Sequence, residues 1–196
     1  MQQHRSPTVE TPASQTEVAA APDLGANSEQ PPIEAQFDTI THVTVGDTVG
    51  GMSVNVNGVW FSPGEFAALM DFVGTPAVAN QFGEAPLLTM RGYLQTGCED
   101  TLKWDEVTGG LYSKLSQDND THFAPGEPGS QNFRSMFVDA YGTAIALAQG
   151  AQAHEEGSEA WETAMNGARQ AAYCAEHFLE DAFSAGHQVA SSDVED

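Results

Sequence analysis

Near the end of the chain, imidazole and carboxylate side chains recur at a spacing suited to one shared cation. His177 and Asp181 stand four residues apart, one turn of an α-helix, so both side chains reach the same point. Both ligand types suit zinc, and a helical pair presents them with little conformational freedom left to lose. His187 lies six residues further on; in a continuous helix it would sit about 9 Å along the axis and be rotated away. Gly186 can end the helix and let His187 turn back, or His187 can serve a second, neighbouring ion. Spacing alone leaves open a plain helix-surface His–Asp pair with a histidine at the helix C-terminus, where the dipole favours it. Upstream, His122 follows Asp118-Asn119-Asp120-Thr121 and precedes Phe123 in a stretch read as a loop between helices. Loops over rigid scaffolds commonly supply ligands. His154 reads as an exposed loop residue, His42 as a surface strand residue, and His4 belongs to the leader.

These residues need elements to position them. A helix is predicted over about 158–185, with Trp161, Met165, Ala168, Ala172, Ala175, Leu179, Ala182 and Phe183 on one apolar stripe. Glu162, Arg169, Glu176 and Glu180 form a charged strip beside it. The remaining arc holds Asn166, Gln170, Tyr173, Cys174, His177, Asp181 and Ser184, and reads as a face turned toward a polar interior. Further helices are predicted from Ser62-Pro63 to about Gly74, over 84–96, over about 104–117, and from a Ser130 cap through Leu147. Before them, alternation in Thr39–Val45 and Met52–Val56 has the period of half-buried strands. Turn signals at Gly46-Asp47, Gly50-Gly51 and Asn57-Gly58 make this a small hairpin or meander.

The fold class expected is therefore mainly α: a disordered leader over 1–36, a small β-hairpin region over 37–61, and a helical metal-binding domain over 62–196. The leader is rich in Pro, Ser, Thr, Gln, Ala and Glu and buries too little apolar surface to offset ordering entropy. With 28 acidic against 6 basic residues, the net charge of -22 opposes a stable complex with nucleic acid. No apolar run is long enough to span a bilayer. MQQHRSPTVETPASQ lacks the apolar core of a secretory signal. Such a chain is cytoplasmic, exported by a signal-independent route, or already processed. Cys98 and Cys174 either pair or remain buried thiols.

His177-Phe-Leu-Glu-Asp181-Ala-Phe-Ser-Ala-Gly-His187 is similar to the H-x3-D-x5-H helix signature of zinc-dependent phospholipase C and the related S1/P1 nucleases. Asn119-Asp120-Thr121-His122-Phe123 resembles the upstream "HF" ligand motif of that superfamily. Gly64-Glu65-Phe66-Ala67-Ala68-Leu69-Met70-Asp71-Phe72 resembles a stretch in its bacterial relatives. The likeness covers roughly residues 60–190. It implies a phospholipase C/P1 nuclease-like helical domain with one to three zinc ions. His122, His177 and Asp181 would gather at the first ion, His187 would begin a second, and Asp181 could bridge two. Asp71, Asp118 and Asp120 would be further carboxylate ligands or catalytic bases. The implied activity is phosphodiester hydrolysis by a metal-bound hydroxide attacking phosphorus, with phospholipid favoured over nucleic acid given the negative surface. Family members continue past the last histidine to a further His and an acidic ligand, whereas nine residues follow His187 here. Asp193, Glu195 or a partner chain would complete the site. Alternatively, one ion braces a non-catalytic helical scaffold, with the N-terminal tail addressing a partner.

Overall fold

Alternating β-branched residues from Thr39 to Val45 predict a strand, yet this stretch is the first helix of the fold. The computed structural model describes residues 39–117, 119–124 and 129–184. The elements run α1 (Thr39–Val49), β1 (Val54–Val56), β2 (Val59–Phe61), α2 (Pro63–Val73), α3 (Pro76–Ala79), α4 (Glu84–Thr96), α5 (Thr101–Thr108), α6 (Leu111–Gln117), a 3-10 turn at Asn119–His122, α7 (Phe133–Ala151) and α8 (Glu159–Asp181). The protein is mainly α with one small antiparallel sheet near the N-terminal end of the described chain. All of these elements belong to one unit. No helix among the described residues is long and apolar enough to cross a membrane. The predicted leader over 1–36 lies outside the described residues.

The hairpin forms where Asn57-Gly58 predicts it. Both residues have positive φ, 47° and 94°, as a tight two-residue turn requires. Val54 faces Phe61 and Val56 faces Val59, and all four are buried. Ser62 then caps α2: its hydroxyl accepts from the Glu65 N–H, and the Glu65 carboxylate accepts from the Ser62 N–H. Every residue of α2 except Asp71 is buried, so α2 is the central helix of the core. Around it pack Leu87, Met90 and Leu94 of α4, Trp104 of α5, and Tyr173, Cys174 and Phe178 of α8. Cys98 and Cys174 are both free thiols.

The third arc of α8 does face inward, and it does so by hydrogen bonding. The Asn166 side-chain carbonyl accepts from the Asn55 N–H at 2.8 Å, and its amide donates to the Asn55 carbonyl at 2.8 Å. Gln170 donates to the same carbonyl at 2.8 Å, and the Tyr173 hydroxyl donates to the Met52 carbonyl at 2.9 Å. Side-chain amides thus stand in for a strand along the hairpin edge and fix the rotation of α8 about its axis.

Three local readings need correction. The helix predicted over 104–117 is two, α5 and α6, broken at Gly109-Gly110 with φ of 67° and 84°. The cap of α7 is Asn132, in a reciprocal box with Ser135, rather than Ser130. Leu179 and Phe183, assigned to the apolar stripe, are 44% and 83% exposed; they lie where α8 reaches the end of its support. Asn166→Ala is expected to lower the stability of the metal-free protein by about 1–3 kcal/mol, because the Asn55 N–H loses its acceptor while the carbonyl keeps only Gln170. An unchanged urea midpoint would show that the amide clamp contributes nothing.

Candidate metal centre

Two helices aim their C-terminal ends at one buried point. Asp71 is in the last turn of α2, and Asp181 is the last residue of α8. A helix C-terminus carries partial negative charge and favours cations, so a carboxylate there opposes its own helix. Two such carboxylates side by side make a strongly electronegative pocket. Its surroundings are imidazoles. His177, one turn before Asp181 on α8, is 0% exposed, as is Asp181. His122 is delivered by the 3-10 turn and His42 by α1.

His122 and His177 bring ring nitrogens close to an oxygen of each aspartate. His122 Nδ1 lies 2.8 Å from Asp181 Oδ2, 3.2 Å from His177 Nε2 and 4.0 Å from Asp71 Oδ1. His177 Nε2 lies 3.5 Å from Asp71 Oδ1 and 3.5 Å from Asp181 Oδ2. Zinc bonds of about 2.0–2.1 Å in tetrahedral geometry put neighbouring ligands about 3.3–3.4 Å apart. The spacings of the His122–His177 pair to either aspartate therefore bracket those of a shared zinc site.

The second oxygen of each aspartate faces the other way. His42 Nε2 is 3.8 Å from Asp71 Oδ2 and 3.7 Å from Asp181 Oδ1. Both carboxylates are thus forked between the His122–His177 side and the His42 side. His42 Nδ1 in turn lies 2.5 Å from the Glu180 carboxylate. That is the carboxylate–histidine arrangement that fixes an imidazole's tautomer and aims its other nitrogen. The ligating atoms of His42, His177 and Asp181 lie within 4.8 Å of one another, as do those of Asp71, His122 and His177.

Protonation follows from these surroundings. Burial alone would lower the His42 pKa, but Asp71, Glu180 and Asp181 outweigh it and raise it to about 9. At His177 burial dominates, reinforced by the neighbouring imidazoles, and the pKa falls to about 4. His122 is raised because the hydrogen bond and charge of Asp181 and the charge of Asp71 outweigh its burial. Burial raises Glu180. The cluster draws positive charge onto its rim and keeps its innermost imidazole neutral, as metal ligation requires. His177 Nδ1 is buried with no hydrogen-bond partner among the described residues, which leaves Nε2 as the nitrogen engaged in the cluster.

Of the residues singled out in the sequence, His122, His177 and Asp181 come together, and Asp71 joins them. His187 and Asp118 lie outside the described residues, and so does the side chain of Asp120. His154 is exposed, as expected. His42 is not the surface strand residue predicted: it is buried on a helix and belongs to the cluster. His42 and Glu180 are the members that sequence reasoning missed. The available signal was the run Thr39, His42, Gly46, whose spacing of three and four puts polar or small residues on one helical face.

A cavity of about 680 Å³ opens on Asp71 and His122. Its walls include Phe72, Trp104, Tyr112, Leu115, Met136 and Phe178. Among the described residues no lysine or arginine lines it, and Glu99 stands with Asp71 in the lining. No protein-family model, curated protein or solved structure matches this chain.

Metal-free stability should depend on pH through opposed imidazoles, His42 and His122 raised and His177 lowered, so the alkaline decline is shared by the first two. The raised pKa of His42 contributes stability fully present below about 6.5 and lost as pH rises through about 9. The lowered pKa of His177 removes stability as pH falls from about 6.5 toward about 4. In chelator, urea midpoints should decline on both sides of about pH 6.5, and His42→Gln should flatten only the alkaline side. An alkaline decline unchanged in H42Q would contradict the assignment.

Proposed function

We propose that this protein is a zinc-dependent phosphodiester hydrolase built on the cluster of His42, Asp71, His122, His177 and Asp181. The observation that carries the reading is the forked placement of Asp71 and Asp181, one oxygen of each toward the His122–His177 pair and the other toward His42. Shared carboxylates of this kind suit two neighbouring ions, the arrangement used to clamp the attacking and leaving oxygens of a phosphoryl displacement. The resemblance of the Asn119–Phe123 and His177–His187 segments to zinc-dependent phospholipase C and S1/P1 nucleases supports the same chemistry.

The two halves of the cluster differ in what they leave open. On one side His122 and His177 face an oxygen of Asp71 and an oxygen of Asp181, up to four donors. On the other side His42 and the second aspartate oxygens supply three, leaving a place for water or substrate, as catalytic zinc sites do. Bound there, divalent ions would supply an acidified water and neutralise charge on phosphoryl oxygens. Asp71 belongs with the ligands in this reading and leaves the role of free base. Glu180 orients His42. The walls formed by Phe72, Trp104 and Phe178 exclude water and seat the apolar part of a ligand. With no lysine or arginine among the described lining residues, a single phosphodiester carrying an apolar substituent, such as a phospholipid, fits better than a nucleic-acid strand, whose successive phosphates would lack partners.

The donor-rich His122–His177 half favours one alternative. A single ion held there alone would brace α2, α8 and the 3-10 turn as a structural site, in a protein without turnover.

Metal stoichiometry by mass spectrometry separates the two. The hydrolase reading expects two or three zinc ions per chain and cleavage of a chromogenic phosphodiester that falls to background in His177→Ala. One ion with no turnover, but a large fall in melting temperature on chelation, would establish the scaffold instead. Glu180→Gln should weaken binding of the second ion by about 10–100-fold while sparing the first. Equal loss at both ions would rule out its assignment to His42.

A further inference from the structure

The helix that brings His42 to the centre is a poor helix in its own right. Its sequence, Thr-Ile-Thr-His-Val-Thr-Val-Gly-Asp-Thr-Val, is dominated by β-branched residues and has a glycine inside it. Such residues lose side-chain freedom in a helix, and glycine costs backbone entropy. At 11 residues it is also below the length at which even good sequences are stably helical alone. Burial does little to offset this. The buried residues of α1 are Thr39, His42 and Gly46, whereas Ile40 and Val49 are 51% and 71% exposed.

Ile40 lies over Gly97 at the end of α4, and the closest contacts of α1 centre on two residues, Gly46 and His42. Gly46 meets Gly64 of α2 so closely that a Cβ on Gly64 would lie 2.0 Å from the Val43 carbonyl oxygen. The exposed Asp47 carboxylate accepts from the Gly64 N–H at 2.9 Å. One turn away, His42 reaches Glu180 of α8 and faces Asp71 of α2 and Asp181 of α8. Val43 packs against the edge of the core. In contrast, His122 and His177 are delivered to the cluster by the 3-10 turn and α8, and meet α1 only through the His42 ring, 5.0 Å from that of His177.

We propose that α1 is a metal-dependent latch: an ion on the His42 side and the docked, helical state of α1 are two faces of one equilibrium. An ion held there joins α1 to α2 and α8 through His42, Asp71 and Asp181, and so adds to the few apolar contacts that Ile40 and Val43 make. Linkage makes the effect mutual, since whatever docking adds to ion affinity, the ion adds to docking. Thr39, at the start of α1, also lines the cavity, so the latch completes that wall when it closes. The inference rests on the two-ion reading of the cluster but concerns the folding of α1 rather than turnover.

Hydrogen–deuterium exchange of the full chain, titrated with zinc alone, tests it. Amides of α1 should exchange much faster than those of α2 and α8 in chelator. They should slow by about 5- to 150-fold, the usual span of coupling between two sites, with the second equivalent of zinc and not the first. His42→Ala should abolish that slowing while leaving the first ion and the protection of α2 and α8 intact. Gly64→Ala, which touches no ligand, should weaken the second ion alone. Asp47→Ala, an exposed change with no burden on the core, should do so more mildly and gives the same reading if G64A does not fold. Equal protection of α1 with and without zinc, slowing retained in H42A, or unaltered affinity for the second ion in D47A would each overturn the latch. Two bound ions with α1 unmoved would overturn it alone; no bound zinc would overturn the two-ion reading as well.

Discussion

A carboxylate taken out of water must be paired, protonated or bound to a cation, because its charge is otherwise too costly to keep. Asp181 is fully buried and Asp71 nearly so, and both stand at helix ends whose dipoles add negative potential. Arg91 and Lys103 are engaged by Glu65 and Asp100, and the basic groups that surround the two aspartates are imidazoles. Histidine can carry a proton or give it up to accept a metal, so the arrangement tolerates either cation. The raised pKa of His42 and the lowered pKa of His177 show the cluster dividing this labour. Positive charge resides at the rim while the innermost ligand stays neutral.

The rest of the fold is arranged to keep those two carboxylates at one point. α2 is apolar all round, so its rotation is determined by packing on every side, and its single unburied residue is Asp71. α8 is held differently. Its polar arc is hydrogen-bonded to the hairpin by Asn166, Gln170 and Tyr173, which sets its rotation 11 to 4 residues before His177, so His177 and Asp181 arrive already aimed. Phe178 packs against His122 with ring centroids 5.4 Å apart, holding the 3-10 turn over the pair. Rigid packing positions the His122–His177 half; a loosely anchored helix completes the other.

Legibility in the sequence follows the same division. The α8 pair was readable because a spacing of four has one geometric meaning on a helix, and Asn57-Gly58 and Ser62-Pro63 carry their turn and cap in their own chemistry. The inward polar arc of α8 was readable for the same reason. Asp71 was visible only as one carboxylate among several, since nothing local tells a ligand from a solvated acid. His42 was hidden by its neighbours. Val43, Thr44 and Val45 alternate as a strand does, and only the approach of Gly64 to the Val43 carbonyl, a tertiary event between residues 21 apart, makes the stretch a helix. Glu180 was readable as part of a charged strip, but its role depends on His42 and was lost with it.

The net charge of -22 acquires a meaning beside this centre. A strongly negative surface lowers the potential over the whole molecule, which raises the local concentration of divalent cations and repels polyanions. The cavity beside the cluster repeats that preference at close range, with Asp71 and Glu99 in its lining and no lysine or arginine among the described lining residues to greet a phosphate. An anionic ligand therefore finds little positive charge there beyond the rim imidazoles until metal is present. In the proposed hydrolase, metal loading comes before substrate capture as a matter of electrostatics. The apolar walls of Trp104, Phe72 and Phe178 then decide which phosphodiester stays, because burial of an apolar substituent is indifferent to the surrounding charge.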